Sequence, residues 1–191
     1  HYMVMPRTGL ELALVWVSVS AITLIHELGH GLTCRHFGAR TGGFGLLFMY
    51  FLPCFFCDVS GAWTLSRRSQ RLWVGAAGLC FQFVAGAVAL LLWRVLDPTT
   101  LPAQVCLAMV SVCGIDAAFN LIPLIRLDGY YLLSDWLQIP NLRPRALGYV
   151  GARLRGWLLG LPGARVAATP RQERILLYYG TLAGIFASVM F

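Results

Sequence analysis

Lysine is absent from this chain, acidic residues number only 8, and charged residues of both signs make up 12% of its 191 residues. A water-soluble domain carries roughly 25% charged residues, so most of this surface is not built to face water. The shortage of charge accompanies a surplus of apolar side chains, 58% hydrophobic at a mean hydropathy of +0.70, which points to the lipid bilayer as the solvent. All 15 basic residues are arginine, and the formal net charge is +7. They stand between apolar runs, where they read as orientation signals; no nucleic-acid partner is expected. The 6 cysteines do not make a secreted disulfide framework, because several fall inside long apolar segments, where a free thiol behaves as a small hydrophobe. The length fits one compact unit, 1–191. A start at His1 without methionine, and an end in an apolar run, read as trimming at one or both ends.

Four stretches approach the roughly 20 apolar residues that cross a bilayer: Leu10 to Cys34, Leu72 to Leu96, Leu101 to Ile122, and a shorter Ile175 to Phe191. Thr41 to Leu65 differs. Gly42, Gly43, Gly45 and Pro53 punctuate an aromatic run of Phe44, Phe48, Tyr50, Phe51, Phe55, Phe56 and Trp63, a mixture that favours a hairpin over a spanning helix. Open backbone is not tolerated in lipid, so the hairpin must lie beside helices or line a wet cavity. Asn141 to Arg171 is rich in Arg, Gly and Pro, with Arg153 and Arg155 interrupting a Leu and Trp pattern, as in a helix lying at the interface. The expected fold is an all-α integral membrane protein of about four transmembrane helices, with a membrane-associated β-hairpin after the first and an interfacial helix before the last.

Arginine placement gives the orientation. Arg35, Arg40, Arg67, Arg68 and Arg71 fall between the first two runs; Arg126, Arg143, Arg145, Arg153, Arg155, Arg165, Arg171 and Arg174 fall between the last two; Arg7 and Arg94 belong to the other side. The positive-inside rule puts the end of the first run and the start of the loop after the third at the cytoplasmic face.

His26-Glu27-Leu28-Gly29-His30 lies near that end of the first run. Residues four apart share a helix face, so both imidazoles can reach one metal while Glu27 reaches a water upon it. Two histidines and a glutamate within a membrane span are costly and mark function more often than packing. A catalytic zinc needs a third protein ligand and an open position. His1 stands at the trimmed start and His36 lies off the helical face of His30, which leaves a carboxylate: Asp58, Asp97, Asp116, Asp128 or Asp135. Asp97 falls on the opposite side by charge, and Asp135 lies deeper in the loop. Asp128 follows Pro123, which breaks the third run, and precedes Gly129, which lets the backbone turn.

The pairing of His-Glu-x-x-His with Asn120-x-x-Pro123-x-x-x-Leu127-Asp128-Gly129 resembles the site-2 protease family of intramembrane metalloproteases. Leu127 to Asp135 is similar in particular to a bacterial subgroup of peptide zinc metalloproteases, and the resemblance runs over about residues 10 to 140. It implies one catalytic zinc ion on His26, His30 and Asp128, with Glu27 as general base. Asn120 would contact the substrate backbone or its developing oxyanion, with Pro123, Gly43, Phe44 and Gly45 as further substrate contacts. The substrate would be a membrane-spanning or small peptide, and the location a bacterial cytoplasmic membrane with the site toward the cytoplasm.

Asp116, four residues before Asn120 on the same helical face, suits a supporting hydrogen bond; Gln82 reads the same way with less force. Cys54-Phe55-Phe56-Cys57 has zinc-ribbon spacing but no second cysteine pair, so it reads as apolar filling. A di-iron oxygenase needs more histidines than the 4 present. A non-proteolytic zinc-holding scaffold or transporter subunit is the remaining alternative, and Glu27 argues against it.

Overall fold

The computed structural model describes residues 9–49, 52–160 and 169–190. His1, Arg7, Tyr50, Phe51, Arg165 and Phe191 of the sequence reading lie outside them. The elements run α1 (Gly9–His36), β1 (Phe44–Met49), β2 (Leu52–Cys57), a 3-10 turn (Ser60–Thr64), α2 (Arg68–Val95), α3 (Leu101–Asn120), α4 (Asp128–Leu137), α5 (Leu142–Leu159) and α6 (Pro170–Met190). They group into two compact units, His1–Leu121 and Ile122–Phe191.

In the first unit α1, α2 and α3 pack against one another, and all three are long and apolar enough to cross a membrane. Their sorting of residues is that of lipid-embedded helices. On α2 the buried positions are mostly small, Ala77, Gly78, Gly86 and Ala89, while Val84, Val88, Leu91 and Val95 face outward. With lipid outside, association comes from close backbone approach and not from hiding large side chains. Gly29 of α1 shows this directly, since a Cβ there would stand 2.8 Å from the Ala77 carbonyl oxygen. Pro102 occupies the first turn of α3, where its missing N–H costs nothing, and the helix stops ahead of Pro123, whose ring would clash with a preceding helical turn.

The hairpin expected in Thr41 to Leu65 is present. β1 and β2 pair antiparallel, with Phe44 opposite Cys57, Gly45 opposite Phe56 and Phe48 opposite Pro53. The ladder is extended by Gly42 N–H to Asp58 O and Asp58 N–H to Gly43 O, both 2.8 Å. β2 packs on α1, and the outer edge of β1 has no strand beside it among the described residues.

The second unit is α4, α5 and α6 around Tyr130, Ile139, Leu142, Ala146, Tyr149, Leu176, Tyr179 and Ala183. Gln138 and Asn141, at φ 58° and 54°, reverse the chain between α4 and α5. Three expectations change here. Gly129 is not the turning point: it is buried in the first turn of α4 and has no positive φ. The loop expected around Asp135 is this same helix, because the Leu127 N-cap is extended and Asp128 suits the positive start of a helix. The fourth apolar run folds as α6, but its first turns carry Arg171, Glu173 and Arg174, so three helices and not four meet the length and hydropathy of a span among the described residues.

Candidate active site

His26 and His30 project from α1 onto one face of α2 whose residues recur every four positions, Val74, Gly78 and Gln82. His30 Nδ1 lies 2.8 Å from the Val74 carbonyl oxygen, and His26 Nδ1 lies 2.7 Å from Gln82 Oε1. Both imidazoles are buried, and Gln82 is fully so. The protons can be assigned by following the acceptors. A backbone carbonyl only accepts, so His30 Nδ1 must carry a proton. Gln82 Nε2 donates to the Cys113 carbonyl at 2.8 Å, which fixes the amide orientation and turns Oε1 toward His26 as an acceptor. His26 Nδ1 is therefore protonated as well, and in the neutral rings both Nε2 atoms are lone pairs.

Those two Nε2 atoms are 3.1 Å apart. With both Nδ1 atoms protonated, neither neutral ring can donate to the other, and two lone pairs at this distance repel unless a proton or a metal cation lies between them. Two nitrogens bound at about 2.0 Å to one tetrahedral ion would be about 3.3 Å apart. The room comes from Gly78: a Cβ there would fall 2.5 Å from His26 Nε2 and also collide with His30 Nε2. Donor type, protonation, spacing and space all fit a metal ion.

Glu27, next along α1, is half-buried, and its Oε2 accepts the backbone N–H of Cys57 at 2.8 Å. The end of β2 therefore orients this carboxylate. The Cys57 thiol sits against Gly31. Burial first, and then the Glu27 charge, push its pKa upward.

The sequence profile described as peptidase family M50 matches residues 14–112. The chain belongs to peptidase family M50. The site-2 proteases are of this family, so the resemblance drawn from the motifs holds, and the matched segment contains α1 from Leu14 onward, the hairpin, α2 and the residues around Gly78. No curated protein and no solved structure matches the M50 chain.

The remaining site residues sort by element. Asn120 ends α3 and donates through Nδ2 to Asp116 Oδ2 at 3.0 Å, so Asp116 supports Asn120. Asp128 is the first residue of α4 and half-buried, with Pro123 in the preceding turn; both belong to the second unit. Gly43 and Phe44 open β1, and Gly45 lies beneath the Phe56 ring, which a Cβ there would strike. Asp58 accepts the backbone N–H and hydroxyl of Ser60, which hold its pKa below the usual value. Its visible role is to start the 3-10 turn. Asp97 lies beyond the far end of α2, about 28 Å along the helix from Gly78, and accepts from Thr99. Cys54 and Cys57 stand three apart on one strand and so point to opposite faces, which bars them from sharing one metal.

Gly78 was the residue that sequence reasoning missed in the M50 chain, and Gln82 was undervalued. The available signal was the four-residue spacing of Val74, Gly78 and Gln82, which matches a histidine pair four apart on a neighbouring helix.

Proposed function

We propose that this M50 chain is an intramembrane zinc metallopeptidase, with zinc held by His26, His30 and Asp128 and with Glu27 as general base. The observation that carries the reading is the pair of Nε2 lone pairs 3.1 Å apart, both histidines being held in the ligating tautomer, with Glu27 adjacent on the same helix. The two imidazoles leave a tetrahedral ion short of one protein ligand, and Asp128 supplies the carboxylate that the Asn-x-x-Pro-x-x-x-Leu-Asp-Gly motif implies. A zinc ion held by these residues would lower the pKa of a bound water to about 7 and polarise the scissile carbonyl.

Glu27 takes the proton released from the attacking water and later delivers it to the leaving amine. Its tether to Cys57 N–H lets it do so from a fixed position. Asn120, steadied by Asp116, donates to the developing oxyanion, a contribution of about 3 to 4 kcal/mol for a well-placed donor. The substrate is a membrane-spanning or small peptide. A helical substrate must unwind before attack, and the outer edge of β1 at Gly43, Phe44 and Gly45 offers an edge for it to join as an added strand. Arginine placement supports a site toward the cytoplasm, and the resemblance to a bacterial subgroup supports a bacterial membrane.

The test is Glu27→Gln in purified chain, assayed with a peptide substrate and for bound zinc. Zinc content at the wild-type level with cleavage abolished is the expected result. Cleavage that survives the change would remove Glu27 as the base and the mechanism with it.

A further inference from the structure

The turn that leads into Asp128 is held from outside by two side chains of the C-terminal helices. Between the end of α3 and the start of α4 the chain has little ladder of its own: Ile125 N–H to Ile122 O at 3.4 Å and Leu127 N–H to Ile125 O at 2.9 Å. Proline at 123 brings no N–H to this segment. The carbonyls of Pro123 and Leu124 are instead taken by distant donors. Tyr179 of α6 donates its hydroxyl to Pro123 O at 2.9 Å, and Arg143 of α5 donates Nη1 to Leu124 O at 2.8 Å. The backbone N–H of Arg143 also reaches the Tyr130 hydroxyl, at 3.3 Å, on the first turn of α4. Tyr130 and Tyr179 lie in one buried cluster, and the Leu124 side chain packs against it.

We infer that Arg143 and Tyr179 are positioning residues for the carboxylate of Asp128, and that setting this ligand is the task of α5 and α6. The inference rests on the reading of Asp128 as the third metal ligand. A segment without its own ladder takes its shape from its tethers. Here the two tethers act four and five residues ahead of Asp128, while the Tyr130 contact fixes the helix that begins with it. Neither side chain touches substrate or metal; each acts through the backbone of the turn.

The experiment measures zinc affinity by competition with a chromophoric chelator, and the visible spectrum of the cobalt-substituted form, on the full chain. Tyr179→Phe and Arg143→Met each remove one tether. Arg143→Lys keeps one donor, and Leu176→Ala damages the same buried cluster while leaving both tethering donors in place. Loss of zinc affinity by roughly tenfold in Tyr179→Phe and Arg143→Met, a changed cobalt spectrum, and recovery of most of the affinity in Arg143→Lys support the proposal. In the same set Leu176→Ala should lower the melting temperature more than either, with its cobalt spectrum intact. Wild-type affinity in both tether variants, or an equal loss in Leu176→Ala, would overturn it. Asp128→Ala separates the two levels. Unchanged affinity there removes Asp128 as a ligand, whereas weakened affinity there with unaffected tether variants removes the tethers alone.

Discussion

Gly78→Ala is the sharpest single test of the site, because it predicts a large effect in one assay and a small one in another. Alanine is a better helix former than glycine by about 1 kcal/mol, and α2 is helical through Gly78, so backbone propensity alone favours the variant. The new methyl would stand 2.5 Å from His26 Nε2 and 2.7 Å from His26 Cδ2, about 1 Å inside ordinary contact. The rings can relieve this only by swinging away or by pushing α1 from α2. Either motion strains the 2.7 Å bond to Gln82 and the 2.8 Å bond to Val74 that set the tautomers. Zinc affinity should fall by roughly 10- to 100-fold, the usual consequence of disturbing the partners of metal-bound histidine, or about 1.4 to 2.7 kcal/mol. Stability of the metal-free protein in detergent should change by no more than about 1 kcal/mol. Competition with a chelator gives the first quantity, and denaturant unfolding under chelation gives the second. Wild-type zinc affinity in Gly78→Ala would refute the placement of the metal between the two Nε2 atoms.

Gln82→Leu keeps the bulk and removes the acceptor. Zinc affinity should weaken by roughly 10- to 100-fold, and nitrogen NMR of labelled histidine should show His26 losing its fixed Nδ1–H tautomer; one unchanged tautomer would show that Gln82 does not set it. Gln82→Glu keeps the acceptor toward His26 and should retain more affinity than Gln82→Leu. Asp116→Ala releases Asn120 without touching a metal donor, so zinc content should hold while turnover falls, by less than the roughly 100- to 1000-fold expected of Asn120→Ala. Equal turnover in Asp116→Ala and wild type would show that Asn120 needs no support.

What was legible in the sequence was whatever one helix or one short motif carries. The spans of α1, α2 and α3, the glycine- and aromatic-rich hairpin, and His26 with Glu27 and His30 on one face all follow from periods and punctuation within a few residues. The partners of those residues were not legible, because they depend on how helices meet. Val74 contributes a backbone carbonyl that any residue would offer, and Gly78 contributes an absence of atoms. Gly129 misled for a related reason: a glycine after a proline-broken helix suggests a turn, yet the favourable start of a helix at Asp128 absorbed it. The tethers from Arg143 and Tyr179 lie 19 and 56 residues from the carbonyls they hold, beyond the reach of any local pattern.

The way the two histidines are held bears on why this arrangement suits catalysis. Each Nδ1 is fixed by an acceptor that is itself anchored, one being a helix carbonyl and the other an amide pinned to the Cys113 carbonyl. The rings thus lose little freedom on binding a metal, where an unrestrained side chain would give up about 0.5 to 1.5 kcal/mol. Their facing Nε2 atoms, 3.1 Å apart, would suit a metal ion shared between them. A purely structural metal site would be completed by a fourth protein ligand. Beside this pair the chain instead places a carboxylate oriented by the backbone N–H of Cys57, which the function proposed above uses as the base. The same hairpin that anchors Glu27 through β2 presents the outer edge of β1 to an incoming strand. In the function proposed above, a peptide joined to that edge would bind the same hairpin that aims the base.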